Sequence, residues 1–331
     1  MTVAQNTSPG LASQVVNGIL AIKPLANLAK HQARSMMIKR AEAIGVDWRR
    51  EVKHLRSRGG ELDFDPEWEK DLEQILNPDL TYPDYYLQSF HAYEEGNLSW
   101  DAAMEVEVAA KAVHARLWPE ASAASTMKLR QNYLDALNAQ LSAAPQSILD
   151  IGCSVGISTF ALQAAYPQAQ ITGVDLSPYF LAIAQYRAQQ RTNEVNHPQS
   201  PHPIRWLHAA AESTGLPDNS FDLVSAFLLF HELPRTATLE ILREARRLLR
   251  PGGYFAMMDS NPKAEGYIKM PPYILTLLKS TEPYLDDYFA LDIEQAMVDV
   301  GFTQPTQTIT SPRHRTLIAQ VPTNRPLHST P

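Results

Sequence analysis

The sequence predicts an α/β fold: a seven-stranded, doubly wound sheet, mostly parallel with one antiparallel edge strand, preceded by a helical N-terminal domain. Three observations predict it. Beyond Pro145, short apolar runs alternate with segments of helical spacing, the pattern of strands joined by crossover helices. The first run, "SILDI", leads straight into a glycine-rich turn and then a helix, as a βαβ unit begins. The chain then closes on two strand-like runs, "TQPTQTITS" and "RTLIAQVP", joined by a short turn, which puts an antiparallel strand at an edge.

Residues 11 to about 58 are rich in Ala, Leu, Gln, Lys and Arg at helical spacing, broken at Pro24 and Gly45 and stopped at Gly59-Gly60, so two or three helices are expected. An aromatic stretch, "TYPDYYLQSFHAYEEGNLSW", precedes a helix from Trp100 to Leu117 that Pro119 ends, and a further helix runs from Thr126 to Leu141. After "SILDI" come a helix over Ile157 to Ala165, the strand "QITGVD", a helix over Pro178 to Arg191 and the strand "IRWLHA". "FDLVSAFLLF", a helix over Thr236 to Leu249 and "GYFAMMD" follow, then a partly helical insert and a helix near Ile293 to Val300. The domains are read as 1–120 (helical cap), 121–322 (the sheet domain) and a tail, 323–331.

Composition narrows the function classes. With 331 residues, 44% of them hydrophobic and 20% charged, the chain can bury a core without staples. The single Cys153 excludes an intramolecular disulfide, and no histidines pair at HExxH or HxxxH helix spacing, so no structural metal is expected. No apolar run reaches the length of a membrane span and no secretory leader is read at the start, which makes the cytoplasm the expected compartment. A net charge of -7 argues against nucleic acid as a partner. That charge is uneven: Lys23 to Arg58 holds 10 basic and 3 acidic residues, Glu61 to Glu107 holds 14 acidic residues and one lysine. A charged outer face is the plainer reading of the basic helices; peripheral contact with an anionic membrane is the other.

Gly152-Cys153-Ser154-Val155-Gly156 is a literal G-x-S-x-G, the motif of a hydrolase nucleophile. A triad with Asp286 or Asp287 and His314 can be written on paper. The motif, however, follows the first strand of the domain rather than one deep in the sheet, and no oxyanion-hole loop precedes it. A cofactor turn explains more residues. Asp150 and Gly152 close the first strand, and Asp175 closes the second where a ribose diol needs acceptors. A carboxylate at Asp150 repels phosphate and suits a cationic ligand bearing an amino acid, which points to S-adenosylmethionine.

On these motifs residues 145–320 resemble the class I, Rossmann-like S-adenosylmethionine-dependent methyltransferases: "LDIGCSVG", "VDLS", "FDLVSAFLLFHEL" and "ARRLLRPGGYFAMMD" follow one another in the family's order. The resemblance implies cofactor contacts from Asp150, Gly152, Ser154 and Gly156, from Asp175, Leu176 and Ser177, from Ala211 and Glu212, from Phe227, and from Tyr93 in the aromatic stretch. Two departures stand out. Ser154 replaces the family's middle glycine, so an ordinary negative φ or a small side chain is expected there. Ala210 stands where relatives have an aspartate, which leaves the adenine amino group without its usual acceptor.

The acceptor pocket is expected at the carboxyl ends of the strands, with His231, Glu232 and Tyr288 as catalytic candidates and Glu94, Glu95, Tyr284, Asp286 and Asp287 around the substrate. Tyrosines with carboxylates suit an amine, which they attract and deprotonate. The whole chain also resembles a cyanobacterial and plastid family that includes a protein lysine methyltransferase acting on a photosynthetic electron-transfer enzyme. That implies a protein substrate with a basic surface lysine, docked by the acidic 61–107 segment. The alternative is a small-molecule methyltransferase acting on a quinone, phenol or lipid; a third reading is a cofactor-binding assembly or regulatory protein without turnover.

Overall fold

The computed structural model of the chain describes residues 34–91, 93–120, 122–193, 200–271, 274, 278–279 and 281–323. The helical pattern read over residues 11–33 and the tail beyond residue 323 lie outside the described residues.

Seven strands form one sheet: β1 (Ser147–Ile151), β2 (Gln170–Asp175), β3 (Arg205–His208), β4 (Phe221–Phe227), β5 (Leu249–Ser260), β6 (Thr306–Ile309) and β7 (His314–Gln320). Their order is β3-β2-β1-β4-β5-β7-β6. The first five are parallel, and β7 runs antiparallel between β5 and β6, so the antiparallel pair expected at an edge is present with β7 one place in from the rim. The chain winds outward from β1 to β3 and then returns to β4 on the other side of β1. The β1/β4 boundary is therefore where the winding reverses, the place at which open α/β sheets bind ligands.

The apolar runs are nearly continuous because both faces of the sheet are covered. Leu149, Val224, Phe255, Met257 and Leu317 point into one core cluster. Their neighbours Ile148, Leu223, Ala256, Met258 and Ile318 point into the other. Each such buried side chain contributes about 1.5–3 kcal/mol.

Upstream of the sheet lie α1 (34–43), α2 (Trp48–Arg56), α3 (Glu67–Ile75), α4 (Trp100–His114) and α5 (Ser125–Gln140). Between and after the strands lie α6 (Ile157–Ala165), α7 (Pro178–Asn193), α8 (Arg235–Leu248), α9 (Glu265–Ile268), α10 (Leu285–Ala290) and α11 (Ile293–Asp299). Trp68 of α3 is fully buried with Ala102 and Met104 of α4 against Val155, Phe180 and Ile183, so the N-terminal helices sit directly on the glycine turn and α7. Arg58 pins this contact, its guanidinium 3.9 Å from the Trp68 ring and 4.6 Å from the Tyr186 ring while paired with Asp71. A second small core joins α1 and α2 to α4 through Ile38, Ala41, Trp48, Val108 and Ala112.

Candidate functional site

The glycine turn after β1 is left-handed at three positions: Gly152 (φ 65°), Ser154 (φ 50°) and Gly156 (φ 82°). A Cβ on Gly152 would stand 2.7 Å from Leu229, and one on Gly156 2.8 Å from Trp206, so neither position admits a side chain. Ser154 corrects the expectation of a negative φ. Its strained backbone, which costs about 1–2 kcal/mol, is held because its N–H donates to Asp175 Oδ2 at 2.8 Å. A hydrogen bond to a charged group returns about 1.5–3 kcal/mol. The Ser154 hydroxyl is buried and has no hydrogen-bond partner. The paper triad is absent: His314 Nδ1 is engaged with Ser311 Oγ at 2.7 Å, and Asp286 pairs with Lys279.

Asp175, at the end of β2, is 8% exposed and receives N–H bonds from Ser154 and from Ser177 (2.8 Å) as well as the Tyr86 hydroxyl. Burial outweighs these donors and pushes its carboxyl up to about 6. Burial does the same to Asp150, which accepts the Thr159 hydroxyl at 2.7 Å. Leu176 is buried beside Asp175, and the Ser177 hydroxyl is committed to the fold, donating to Asn97 O at 2.7 Å and accepting from Phe180 N. Glu212 accepts the Tyr85 hydroxyl with one oxygen, while its Oε2 is buried without a partner; Ala211 packs beside it against the core. That orphaned oxygen supplies an acceptor where Ala210 has none.

Two cofactor candidates need correction. Phe227 is 7% exposed in the core, its ring between Tyr133 and the Arg130 guanidinium (4.7 Å), so it supports that cation rather than facing a ligand. The Tyr93 hydroxyl donates to Glu105 at 2.6 Å, which also binds Arg34, so only its ring approaches the turn through Val155 and Ile157. Sequence reasoning missed Arg130 of α5, which reaches Ser158 at the start of α6 and has Asp150 as a neighbouring charge. It also named only Tyr93 from the aromatic stretch for the cofactor, whereas the 3-10 turn Asp84–Leu87 carries Tyr85 and Tyr86 onto Glu212 and Asp175.

These residues fit S-adenosylmethionine. A tight glycine turn, two orphaned buried oxygens, a carboxylate held by backbone N–H groups for a diol, and a nearby cation for a carboxylate match its parts. Asp175 would hold the ribose, Glu212 Oε2 the adenine amino group and Arg130 the amino-acid carboxylate.

At the ends of β4 and β5 a second cluster forms. Asp259, fully buried, accepts N–H bonds from Phe230 (2.8 Å), His231 (3.3 Å) and Ser260 (2.6 Å) and faces His231 Nδ1 at 2.8 Å. Burial alone would lower the His231 pKa; Asp259, helped by Glu282 and Glu232, more than reverses this and lifts it to about 10. Glu232 is raised to about 7 by burial and by the crowding of Glu282 and Asp259, against the pull of His91 and His231. His91, in the segment "FHAYEEGNLSW", donates its backbone N–H to Thr281 O and places Nε2 3.0 Å from Glu282 and 3.8 Å from Glu232. The ligand atoms of His91, Glu232 and Glu282 lie within 4.8 Å of one another. That spacing can hold a divalent ion, and it equally holds a proton on His91, whose pKa these carboxylates raise.

The remaining acceptor candidates do not converge here. Tyr288 is 1% exposed and its hydroxyl donates to Ser260 O at 2.9 Å, so it positions the end of β5 and does not reach the cleft. Glu94 and Glu95 are exposed, Asp286 is exposed beside Lys279, and Asp287 accepts from Arg235 N at 3.4 Å. Tyr284 packs edge-on against Tyr85, its ring centre 6.3 Å away. Surface acids flank the site; the buried Asp259 and Glu282 with the half-buried Glu232 build it.

Comparison with known proteins agrees with this geometry. Residues 149–257 match the family described as a methyltransferase domain. The chain is 30% identical over 153 residues to a ubiquinone biosynthesis O-methyltransferase of Stutzerimonas stutzeri, covering 45% of this chain and 60% of that one. It is 31% identical over 131 residues to a demethylmenaquinone methyltransferase of Thermus thermophilus, covering 40% and 54%. It thus spans little more than half the length of these curated relatives. The solved carbon methyltransferase of CurJ aligns with 96% of this chain and 72% of its own, at a TM-score of 0.51 and 14% identity, which shows the shared fold. The fold is that of the Rossmann-like methyltransferases, and the residues gathered at its glycine turn fit S-adenosylmethionine as cofactor. Among the described residues no helix is long and apolar enough to cross a membrane.

Proposed function

We propose that this chain transfers a methyl group to the hydroxyl of a small aromatic acceptor of the phenol or quinol class. The observation that carries the reading is the Asp259–His231 pair with Glu232 at the carboxyl ends of β4 and β5, on the side of the sheet where the glycine turn lies. Bound S-adenosylmethionine supplies a methyl group activated on a sulfonium; in-line displacement then needs positioning and removal of one proton.

His231 stays protonated through neutrality, and Asp259 occupies its Nδ1. What remains is an Nε2–H donor, which fits an oxygen and steadies a phenolate. An ammonium, itself only a donor, gains nothing from it. Glu232, poised at about 7, is the proton acceptor: phenols ionise near 10, so the transfer costs about 4 kcal/mol before the imidazolium charge offsets it. The curated relatives, named for quinone biosynthesis, support the same acceptor class. The protein-lysine reading rested on the whole-chain resemblance, the acidic 61–107 segment and a pocket of tyrosines and carboxylates, and of the latter Glu94, Glu95, Asp286 and Asp287 lie at the surface.

The test is methyl-label transfer from S-adenosylmethionine by the purified chain into a cell extract, separated into protein and organic-soluble fractions. Label should enter the organic-soluble fraction, with His231→Gln lowering the rate about a hundredfold at unchanged S-adenosylhomocysteine affinity. Label confined to a protein band would replace this reading with the lysine one.

A further inference from the structure

Two buried histidines stand beside the acceptor cluster and take no part in the reaction proposed above. His314 opens β7 and lies across from Ser260, the last residue of β5, which follows Asp259. His114 ends α4, and its ring centre is 6.3 Å from that of His314, with the two planes at 82°. His114 is 5% exposed and His314 7%. The charge of His231 is felt at both rings and that of Arg130 at His114, so the pair stands between the acceptor cluster and the cation placed for the cofactor's carboxylate. Burial above all, with those cations, lowers the His114 pKa to about 3. Burial, against the pull of Asp259 and with the help of His231 and Arg313, lowers that of His314 to about 4. Both imidazoles are therefore neutral.

A neutral imidazole carries one N–H, and the neighbours of each ring decide on which nitrogen. The Ser311 hydroxyl oxygen accepts the backbone N–H groups of Arg313 and His314, both at 3.1 Å, so its own proton goes to His314 Nδ1 at 2.7 Å. His314 thus carries its proton on Nε2. The Thr126 hydroxyl donates to Ala110 O at 3.4 Å, so its oxygen accepts from His114 Nδ1 at 3.2 Å. His114 thus keeps a bare lone pair on Nε2. Neither Nε2 has a hydrogen-bond partner among the described residues. One free donor beside one free acceptor is the complement of a hydroxyl, which needs one of each. With bonds of about 2.8 Å, an oxygen about 4 Å from both ring centres closes on the 6.3 Å edge at about 105°, near the angle between a hydroxyl's own proton and lone pair.

We infer that His114 and His314 together bind a second hydroxyl of the acceptor, His314 donating Nε2–H to its oxygen and His114 Nε2 accepting its proton, so that a dihydroxylated ring is selected over a monohydroxylated one. His231 serves the hydroxyl that is methylated; this pair fixes how the ring lies. The inference rests on the phenol reading and deepens it, and its test needs no turnover.

Nitrogen-15 NMR of the full chain labelled at histidine should show, at neutral pH, His114 as the Nδ1–H tautomer and His314 as the Nε2–H tautomer. The chain saturated with S-adenosylhomocysteine is then titrated calorimetrically with phenol, catechol, resorcinol and hydroquinone. At least one of the three diols should bind about tenfold or more tightly than phenol, because phenol leaves both imidazoles unpaired. His314→Phe should erase that preference with phenol affinity little changed. His314→Gln, which keeps an N–H in the place of Nε2, should restore most of it. Melting temperature and S-adenosylhomocysteine affinity report that each variant is folded. The inference is overturned if the two rings share one tautomer, if phenol and all three diols bind alike, or if folded His314→Phe keeps the preference. A chain that binds none of the four compounds fails the phenol reading as well, whereas equal binding of all four fails this inference alone.

Discussion

Replacing Asp259 by asparagine removes a charge and keeps the shape, and the structure says what that should cost. All four neighbours of the carboxylate are donors: the N–H groups of Phe230, His231 and Ser260, and His231 Nδ1. Whichever way the amide turns, its NH2 confronts two of them. The charge on His231 is also lost. Holding a proton from the ordinary 6.5 up to about 10 corresponds to about 5 kcal/mol, at about 1.4 kcal/mol for each pH decade. Glu282 and Glu232 supply part of this, and the depressed Asp259 carboxyl is the same interaction seen from its partner, so it is counted once. A loss of about 3 kcal/mol at neutral pH is expected for Asp259→Asn. The folded pKa of His231 lies above its unfolded value, so its contribution is complete below about 6.5 and disappears as pH rises toward 10. Wild type should therefore lose stability across that window, and the variant should lose less. Urea unfolding at a series of pH values, with an NMR titration of the His231 ring, measures both. A wild-type His231 that titrates near 6.5, or equal slopes in the two proteins, would refute the reasoning.

Ser154→Gly should stabilise the chain by about 0.5–1 kcal/mol in thermal melts, the relieved left-handed strain slightly exceeding the added freedom of the unfolded chain; a destabilised variant would remove strain from the account of the turn. S-adenosylmethionine affinity, measured calorimetrically, should rise from pH 5 to 8, because Asp150 and Asp175 hold their protons up to about 6 and a protonated Asp175 cannot accept both ribose hydroxyls; an affinity flat across this range would count against Asp175 as the ribose acceptor.

Most of the sheet was legible because its strands are buried on both faces and so read as uninterrupted apolar runs. "SILDI" and "QITGVD" coincide with β1 and β2, and the helix over Ile157 to Ala165 with α6. Element ends were read less well. The helix begun at Trp100 ends at His114, short of Leu117, and the strand read as "GYFAMMD" extends from Leu249 to Ser260. The cofactor turn was legible because its residues are contiguous and obey a local backbone rule. Ser154 escaped that rule because its φ is set by a bond to Asp175, a residue on another strand. The acceptor cluster draws on residues 91, 232, 259 and 282, from four separate segments that the family resemblance places around the pocket, but no local spacing singles out His91 and Glu282 among their neighbours. Arg130 was invisible for the same reason: its neighbour Ser158 lies beyond β1.

Burial connects the two ends of the site. Asp150, Asp175, Glu212 and Glu232 are all held above their ordinary carboxyl range, and in each the first cause is loss of water. A carboxyl in that state favours the fold while protonated and ceases to do so as pH rises through its folded value, so at neutral pH the unliganded chain keeps ionised groups that its own packing disfavours. A core chosen for stability alone would replace them. On the proposed reading three of the four would meet donors of the cofactor, and the fourth would take the proton that the acceptor loses. A ligand that satisfies them binds the folded chain and not the unfolded one, and so restores stability in proportion to its affinity. The same desolvation that weakens the empty site thus strengthens each charge and hydrogen bond once the site is filled.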